Sequence, residues 1–219
     1  MCDEPVTPGG GLVCSGCAGA FRPITEPRCL KCGKKLSREE EEFCKDCRDN
    51  PHYYEYGFCL YEYASVRESL YRFKYEGREE YAGFYARQMA LFLKEEIAGM
   101  HPEAIVPVPL HRKRLRMRGY NQAEVLAVAL GKFLGIPVKS DLVKRVKMTI
   151  PQKKLDNTAR RNNVKNAFII TENIVKLNNV IVVDDIYTTG STVDAVAKVL
   201  KKAGVSRVFF LTLAVGNGL

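Results

Sequence analysis

The chain has 219 residues, of which 46% are hydrophobic, and a formal net charge of +9. This length and composition are typical of a globular protein with a substantial core. No apolar run is long enough to span a bilayer, and the first residues lack the apolar segment of a secretory signal peptide. We therefore expect a cytoplasmic protein without membrane insertion. The positive charge favours an anionic partner without identifying it.

Cysteines dominate the first fifty residues. The eight cysteines are Cys2, Cys14, Cys17, Cys29, Cys32, Cys44, Cys47 and Cys59. Six of them form three C-x2-C pairs, and two such pairs can supply the four thiolates of a tetrahedral zinc site. The segment has too little apolar periodicity for a core of its own, so it should fold only around metal. We predict a zinc-binding module at residues 1–50 and a second domain at residues 51–219.

The cysteine spacing predicts one or two structural zinc ions. A complete ligand set consists of Cys29, Cys32, Cys44 and Cys47. A second, incomplete set consists of Cys2, Cys14 and Cys17, and its fourth ligand is not identified. A disulfide framework is the alternative, but cysteines of one C-x2-C pair bridge poorly and nothing suggests secretion. Cys59 lies in an alternating aromatic strand, where a small buried hydrophobic role is commoner than metal binding.

From residue 51 the hydrophobic pattern becomes that of an α/β domain. In chain order we predict a strand at Tyr56–Tyr63, helices over Val66–Phe73 and Tyr81–Leu93, a strand at Ala104–Leu110, a helix at Asn121–Leu134, strands at Leu142–Val146, Ala167–Thr171 and Val180–Val183, a helix over Val193–Leu200 ending near Gly204, and a strand at Arg207–Val215. Strands that alternate with helices predict a mostly parallel sheet with helices on both faces.

The most informative segment is Val180–Thr192, which reads VIVVDDIYTTGST. It predicts a buried strand at Val180–Val183, followed by Asp184 and Asp185, that delivers a loop to the carboxyl edge of a parallel sheet. The loop consists of Thr188, Thr189, Gly190, Ser191 and Thr192. Its hydroxyls, backbone N–H groups and helix N-terminus suit a phosphate, while the carboxylates suit a diol. Together they indicate a ribose 5-phosphate ligand; the alternative is an acidic turn followed by an ordinary helix cap.

Two further segments are strongly basic. Ala104–Gln122 reads AIVPVPLHRKRLRMRGYNQ, and we predict a strand that leads into a loop with five Lys or Arg residues between Arg112 and Arg118. Such a loop could bind pyrophosphate, because Arg donates in bidentate form, or could be a solvated basic face. Lys144–Lys165 could be a mobile loop that closes over an anionic ligand, a surface for single-stranded nucleic acid aided by Tyr120 and Tyr187, or a plain solvated loop.

These motifs resemble a known family. VIVVDDIYTTGST resembles the signature of type I phosphoribosyltransferases, which bind phosphoribosyl pyrophosphate (PRPP). The resemblance implies that Asp184 and Asp185 are the catalytic pair on the ribose hydroxyls, and that Thr188–Thr192 binds the 5′-phosphate. The pyrophosphate loop would contain Pro109, Leu110 and Arg118. VPVPL, RGYNQAEVLA and FKYEG, with Gln152, Arg160 and Asn163, narrow the resemblance to the ComF family, which joins a zinc module to a phosphoribosyltransferase domain.

The resemblance implies two functions of different classes. As a ComF-like protein, the chain would bind PRPP with Mg²⁺ and handle single-stranded DNA during natural transformation, alongside a helicase-like partner. The nucleic-acid candidates are Arg112, Arg114, Arg160 and Arg161. As an enzyme, it would transfer ribose 5-phosphate from PRPP to an acceptor that the sequence does not identify.

Overall fold

The computed structural model describes residues 13–147, 166–171 and 176–216. The elements are α1 (Ser15–Ala18), α2 (Lys45–Asp49), β1 (Gly57–Glu62), α3 (Tyr63–Tyr75), α4 (Tyr81–Phe92), α5 (Lys94–Met100), β2 (Ala104–Pro107), α6 (Arg112–Arg118), α7 (Gln122–Leu134), β3 (Val143–Arg145), β4 (Phe168–Ile170), β5 (Asn179–Tyr187), α8 (Ser191–Lys202) and β6 (Arg207–Val215). Cys2, Gln152, Arg160, Arg161 and Asn163 lie outside the described residues.

Four parallel strands form the central sheet in the order β1-β6-β5-β2. This confirms the parallel sheet that the alternating pattern predicts. Val183 of β5 pairs with Pro107, the last residue of β2, so β5 extends past its neighbour. The predicted end of β5 at Val183 was wrong, because Asp184 still pairs with Thr212 of β6 and the strand continues to Tyr187. The acidic pair therefore lies on a strand whose pairing on one side has ended.

Helices cover both faces of the sheet, as predicted. Side chains alternate along a strand, so Ile181 and Val183 face α3, α4 and α7, while Val180 and Val182 face α8. The cysteine-rich segment also packs on the α8 side, where Cys32 belongs to the same buried cluster. One face of the sheet is thus covered mainly by α3, α4 and α7, with Phe21 of the cysteine-rich segment packed against Phe84, and the other by α8 together with the part of that segment that contains Cys32.

The basic segment predicted as a loop is a helix, so this interpretation was wrong. Arg112–Arg118 forms α6, in which Arg, Lys, Leu and Met all favour helix. The side chain of His111 accepts a hydrogen bond from the Lys113 backbone N–H at 3.3 Å and caps the N-terminus. Gly119, with φ of 84°, ends the helix in a conformation that suits glycine. The preceding strand is correspondingly shorter than predicted.

Two predicted strands do not join the central sheet. β3 and β4 pair with each other in an antiparallel ribbon, in which Arg145 lies opposite Phe168. The sequence also did not predict α5, which follows α4 after a break at Leu93. Among the described helices, none combines the length and the apolar character that a bilayer crossing requires.

Candidate functional site

Two adjacent carboxylates lie at the extended end of β5. The Asp184 carboxylate accepts a hydrogen bond from the Asp185 backbone N–H at 2.8 Å. The Asp185 carboxylate forms a salt bridge of 2.8 Å with Lys74 Nζ, and both of these side chains are largely buried. Burial and the neighbouring Asp185 charge raise the pKa of Asp184 to about 7, against weaker opposing effects of its hydrogen bond, Lys74 and Arg145. Asp184 is therefore about half protonated near pH 7, beside the salt bridge between Asp185 and Lys74.

Cations from three separate elements surround the acidic pair. Lys74 comes from the end of α3, Arg114 from α6 and Arg145 from β3. Burial lowers the pKa of Arg145 to about 10, with a further contribution from Arg114 and an opposing one from Asp184. Burial and Arg118 also lower the pKa of Arg114, whereas Asp185 opposes this change. Such crowding of like charges around two acids is favourable for a site that receives a polyanion.

Arg118 is held at the edge of this site by an aromatic side chain. Its guanidinium lies 4.9 Å from the ring centre of Tyr75 and donates hydrogen bonds to Tyr75 Oη at 3.2 Å and Gln122 Oε1 at 2.8 Å. Tyr75 is 53% exposed and its ring lies 5.1 Å from that of exposed Tyr71. The oriented Arg118 and the accessible ring of Tyr75 therefore lie beside Arg114, one of the cations near the acidic pair.

The loop after β5 forms a compact turn into α8. Thr189 and Ser191 are buried, and their hydroxyl oxygens lie 2.6 Å apart. Gly190 precedes α8 with φ of 73°, and a Cβ at this position would lie 2.7 Å from Tyr187 Oη. Only glycine permits this backbone conformation and this approach. The turn directs the N-terminal N–H groups of α8 to the carboxyl edge of the sheet, where such groups favour an anion.

Aromatic packing around Tyr187, the last residue of β5, supports the start of this loop. The Tyr187 ring stacks on Phe210 at 4.9 Å, and its hydroxyl lies 2.8 Å from that of Tyr54. Burial raises the pKa of both tyrosines far above the ordinary range, so both remain neutral. Tyr187 is only 2% exposed and Tyr120 only 9%. This burial contradicts the alternative in which Tyr120 and Tyr187 stack on nucleic-acid bases, since both rings are almost wholly covered.

Four cysteines form the metal-binding cluster that their spacing predicts. The Sγ atoms of Cys29, Cys32, Cys44 and Cys47 all lie within 4.8 Å of one another. The Cys32 and Cys44 sulfurs are 3.7 Å apart, close to the roughly 3.8 Å edge of a tetrahedron built from Zn–S bonds of about 2.3 Å. This arrangement fits zinc and leaves no open ligand position. No disulfide joins the described cysteines, and Cys14 and Cys17 are partly buried outside this cluster.

The turn that contains Cys29 and Cys32 packs directly on β1. Gly57 N–H donates to the Lys31 carbonyl at 3.0 Å, and the Cys59 thiol donates to the Cys32 carbonyl at 3.4 Å. Cys59 is buried, as predicted. Lys34, two residues after Cys32, reaches the loop that follows β5. Its Nζ donates a hydrogen bond to the Thr188 carbonyl at 3.4 Å. The metal cluster and the loop that follows the acidic pair are therefore linked through a short segment.

The structure separates residues that the sequence analysis grouped together. Arg112 is exposed on α6, whereas Arg114 and Arg118 are partly buried toward the acidic pair. Pro109 and Leu110, after β2, are also partly buried. Two cations found here, Lys34 and Lys74, were given no site role from the sequence, and Arg145 was considered only as part of the basic stretch Lys144–Lys165. The FKYEG motif contained a signal for Lys74, which lies within it.

Comparisons with known proteins agree with both parts of the chain. Residues 1–48 match a family model described as a double zinc ribbon domain, and residues 115–218 match a phosphoribosyl transferase domain. With the parallel sheet and the strand–loop–helix geometry after β5, they define a protein with a type I phosphoribosyltransferase-like fold and an N-terminal zinc ribbon.

Three curated relatives identify the family. The chain is 34% identical to Competence protein F of Haemophilus influenzae, which covers 90% of this chain and 87% of the relative. It is 31% identical to the DNA utilization protein YhgH of Escherichia coli K12, and the alignment covers 95% of this chain and 92% of that relative. It is 30% identical to Competence protein ComFC of Streptococcus pneumoniae, and the alignment covers 90% of this chain and 84% of that relative. The chain belongs to the ComF family.

Proposed function

We propose that the protein binds PRPP at the carboxyl end of β5. The observation that carries this proposal is the meeting of an acidic pair, an anion-favouring helix N-terminus and several buried cations at one sheet edge. Asp184 and Asp185 bind the ribose hydroxyls, and residues Thr188–Thr192 bind the 5′-phosphate. Pro109, Leu110 and Arg118 line the pyrophosphate subsite, to which Arg114 adds charge.

We propose that Mg²⁺ enters this site with PRPP. The carboxylate oxygens of Asp184 and Asp185 are the hard donors that Mg²⁺ prefers, and the Lys74 salt bridge already engages Asp185. A site with so few protein donors suits an ion that keeps waters and takes most of its ligands from substrate oxygens. The ion would reduce the charge of the pyrophosphate.

We propose that the ligand-binding domain also handles single-stranded DNA. Arg112, Lys113 and Arg116 are exposed on α6, beside the oriented Arg118 and the accessible rings of Tyr71 and Tyr75. Exposed cations can neutralise a phosphate backbone, and accessible rings can stack on bases. The names of the relatives refer to competence and DNA utilization. The protein would then act with a helicase-like partner during DNA uptake, and Arg160 and Arg161 remain candidates for the same surface.

A second candidate function is phosphoribosyl transfer, which one specific observation favours. A carboxyl with a pKa of about 7, such as Asp184, can accept a proton near neutral pH, as a general base must. The acceptor would be a nucleophile that displaces pyrophosphate from the ribose. An assay of pyrophosphate release with a panel of bases and single-stranded DNA separates this enzyme from a protein that only binds PRPP.

We also propose the division of the chain into a zinc module at residues 1–50 and a phosphoribosyltransferase-like domain at residues 51–219. The four-thiol cluster lies entirely within the first part, and every strand of the central sheet lies within the second. A zinc-binding thiolate cluster is compatible with the reducing environment of the cytoplasm, where we propose that the protein acts.

Calorimetry with PRPP and Mg²⁺ tests the ligand assignment. The double variant D184N/D185N keeps the side-chain shapes but removes the charged acceptors, so PRPP affinity should fall by about 1–3 kcal/mol. The matched control is E95Q/D141N, which removes two exposed acidic charges elsewhere. The control should bind PRPP like the unmodified protein. Unchanged affinity in D184N/D185N would refute the assignment of the acidic pair.

A further inference from the structure

The turn from Cys29 to Lys34 is held rigidly on the central sheet. Within the turn, Gly33 N–H donates to the Cys29 carbonyl and Cys29 N–H donates to the Lys34 carbonyl, each at 2.8 Å. Gly33 has φ of 68°, and a Cβ there would lie 2.8 Å from the Cα of Phe58 in β1. The backbones of the turn and the strand therefore approach as closely as glycine allows. This contact and the ligands Cys29 and Cys32 together determine the direction of the residues that follow.

The two consecutive lysines after this turn point to different places. The Lys35 ammonium donates to the carbonyls of Thr25 and Glu26 at 3.1 and 2.8 Å, on the outside of the cysteine-rich segment. The Lys34 ammonium is partly buried and reaches the Thr188 carbonyl, 154 residues further along the chain. Thr188 is the first residue of the loop that leads into α8. One lysine thus serves the local fold and the other approaches the anion-binding loop.

The chemistry of Lys34 suits a phosphate better than the carbonyl it contacts. A distance of 3.4 Å is long for an ammonium–carbonyl hydrogen bond, so this contact contributes little stability. An ammonium carries three donors, and a phosphate oxygen offers it the attraction of an opposite charge, which a neutral carbonyl does not. A phosphate at the N-terminus of α8 would bring such an oxygen to the loop that Lys34 already contacts.

We propose that Lys34 is a phosphate-binding residue supplied by the zinc ribbon to the loop Thr188–Thr192, and that it couples zinc binding to ligand binding. This inference rests on the proposed PRPP site and adds a ligand-binding residue from the other part of the chain. Zinc holds Cys29 and Cys32, these residues hold the turn, and the turn positions Lys34. Loss of zinc releases the turn and removes one cation from the 5′-phosphate subsite. By thermodynamic linkage, a bound ligand must in return strengthen zinc binding by the same factor.

The first experiment measures the affinity of Lys34 variants for ribose 5-phosphate and PRPP by calorimetry. Lys34→Met keeps the aliphatic length and removes the charge, so affinity for both ligands should fall about ten- to a hundredfold, as expected for a lost hydrogen bond to a charged group. Lys35→Met is the matched control and should bind normally. Lys34→Arg retains the charge and should restore part of the affinity. Equal affinity of Lys34→Met and the unmodified protein overturns the proposal for Lys34 and leaves the PRPP site standing.

The second experiment measures the equilibrium transfer of zinc to a chromogenic chelator, with and without PRPP. PRPP should reduce the fraction of zinc transferred from the unmodified protein and from Lys35→Met, but have much less effect on Lys34→Met at a concentration that saturates each protein. If PRPP protects Lys34→Met to the same extent, the coupling does not pass through Lys34 and the inference fails. If the unmodified protein binds neither ribose 5-phosphate nor PRPP, the proposed function itself fails, and the role of Lys34 with it.

Discussion

Replacing Asp184 by Asn should stabilise the ligand-free protein, and the gain should increase with pH. In the folded protein, burial and the Asp185 charge raise the pKa of Asp184 from its ordinary 3.8 to about 7. A group whose pKa is higher in the folded protein than in the unfolded chain stabilises the fold, and the effect is largest at a pH low enough to protonate the group in both. That contribution is complete below pH 3.8 and is lost as the pH rises through about 7. Asn is neutral at every pH and keeps an oxygen to accept the Asp185 N–H.

The size of the effect follows from the same pKa values. The difference between 3.8 and about 7 corresponds to a total of about 4 kcal/mol, at about 1.4 kcal/mol per pKa unit. Part of this loss occurs below pH 5, as the unfolded chain ionises. About 2–3 kcal/mol of the loss in stability occurs between pH 5 and pH 8, where the carboxyl of the folded protein ionises. The variant should therefore gain about that much relative to the unmodified protein over this range.

Urea unfolding in the presence of zinc, at pH 5 and at pH 8, measures this gain. The quantity of interest is the difference in unfolding free energy between D184N and the unmodified protein at each pH. Titration of groups distant from Asp184 is common to both proteins and cancels in this difference. D141N makes the same chemical change at an exposed carboxylate away from the acidic pair and serves as the matched control. A difference for D184N that is the same at both pH values would refute the reasoning from burial and charge repulsion.

Three further outcomes are expected. Elemental analysis should find at least about one zinc per chain, and Cys32→Ser should lose that zinc. A value near two would mean that Cys2, Cys14 and Cys17 have a fourth ligand. Binding of single-stranded DNA should weaken with salt, with a logarithmic slope that Arg112→Ala flattens by about 0.7 if one phosphate contact is lost, whereas Lys198→Ala should not change it. Gly57→Ala should lower the unfolding free energy by about 1–3 kcal/mol because its Cβ would overlap Phe210, whereas Gly83→Ala meets open space in α4 and should not destabilise.

Local patterns were enough to predict the zinc cluster and the position of the anion-binding loop. Two C-x2-C pairs specify four thiolates on two tight turns, whatever surrounds them, and the structure confirms that their sulfurs converge. Likewise, a run of β-formers followed by hydroxyls, Gly190 and a helical pattern specifies a strand, a turn and a helix N-terminus in that order. Such features depend on residues close in sequence, so the sequence carries them directly.

The tertiary structure decided which side chains meet at the acidic pair. Lys74, Arg114 and Arg145 come from three segments distant from β5, and no periodicity in the chain relates them to Asp184 and Asp185. Strand β5 is also longer than its apolar run, because β6 continues beside it and supplies hydrogen-bonding partners. Contacts of this kind arise from the order of strands and the packing of layers, which are properties of the whole fold. Sequence alone therefore determined the chemistry that the chain can offer, and the parallel sheet determined how those groups combine into one site.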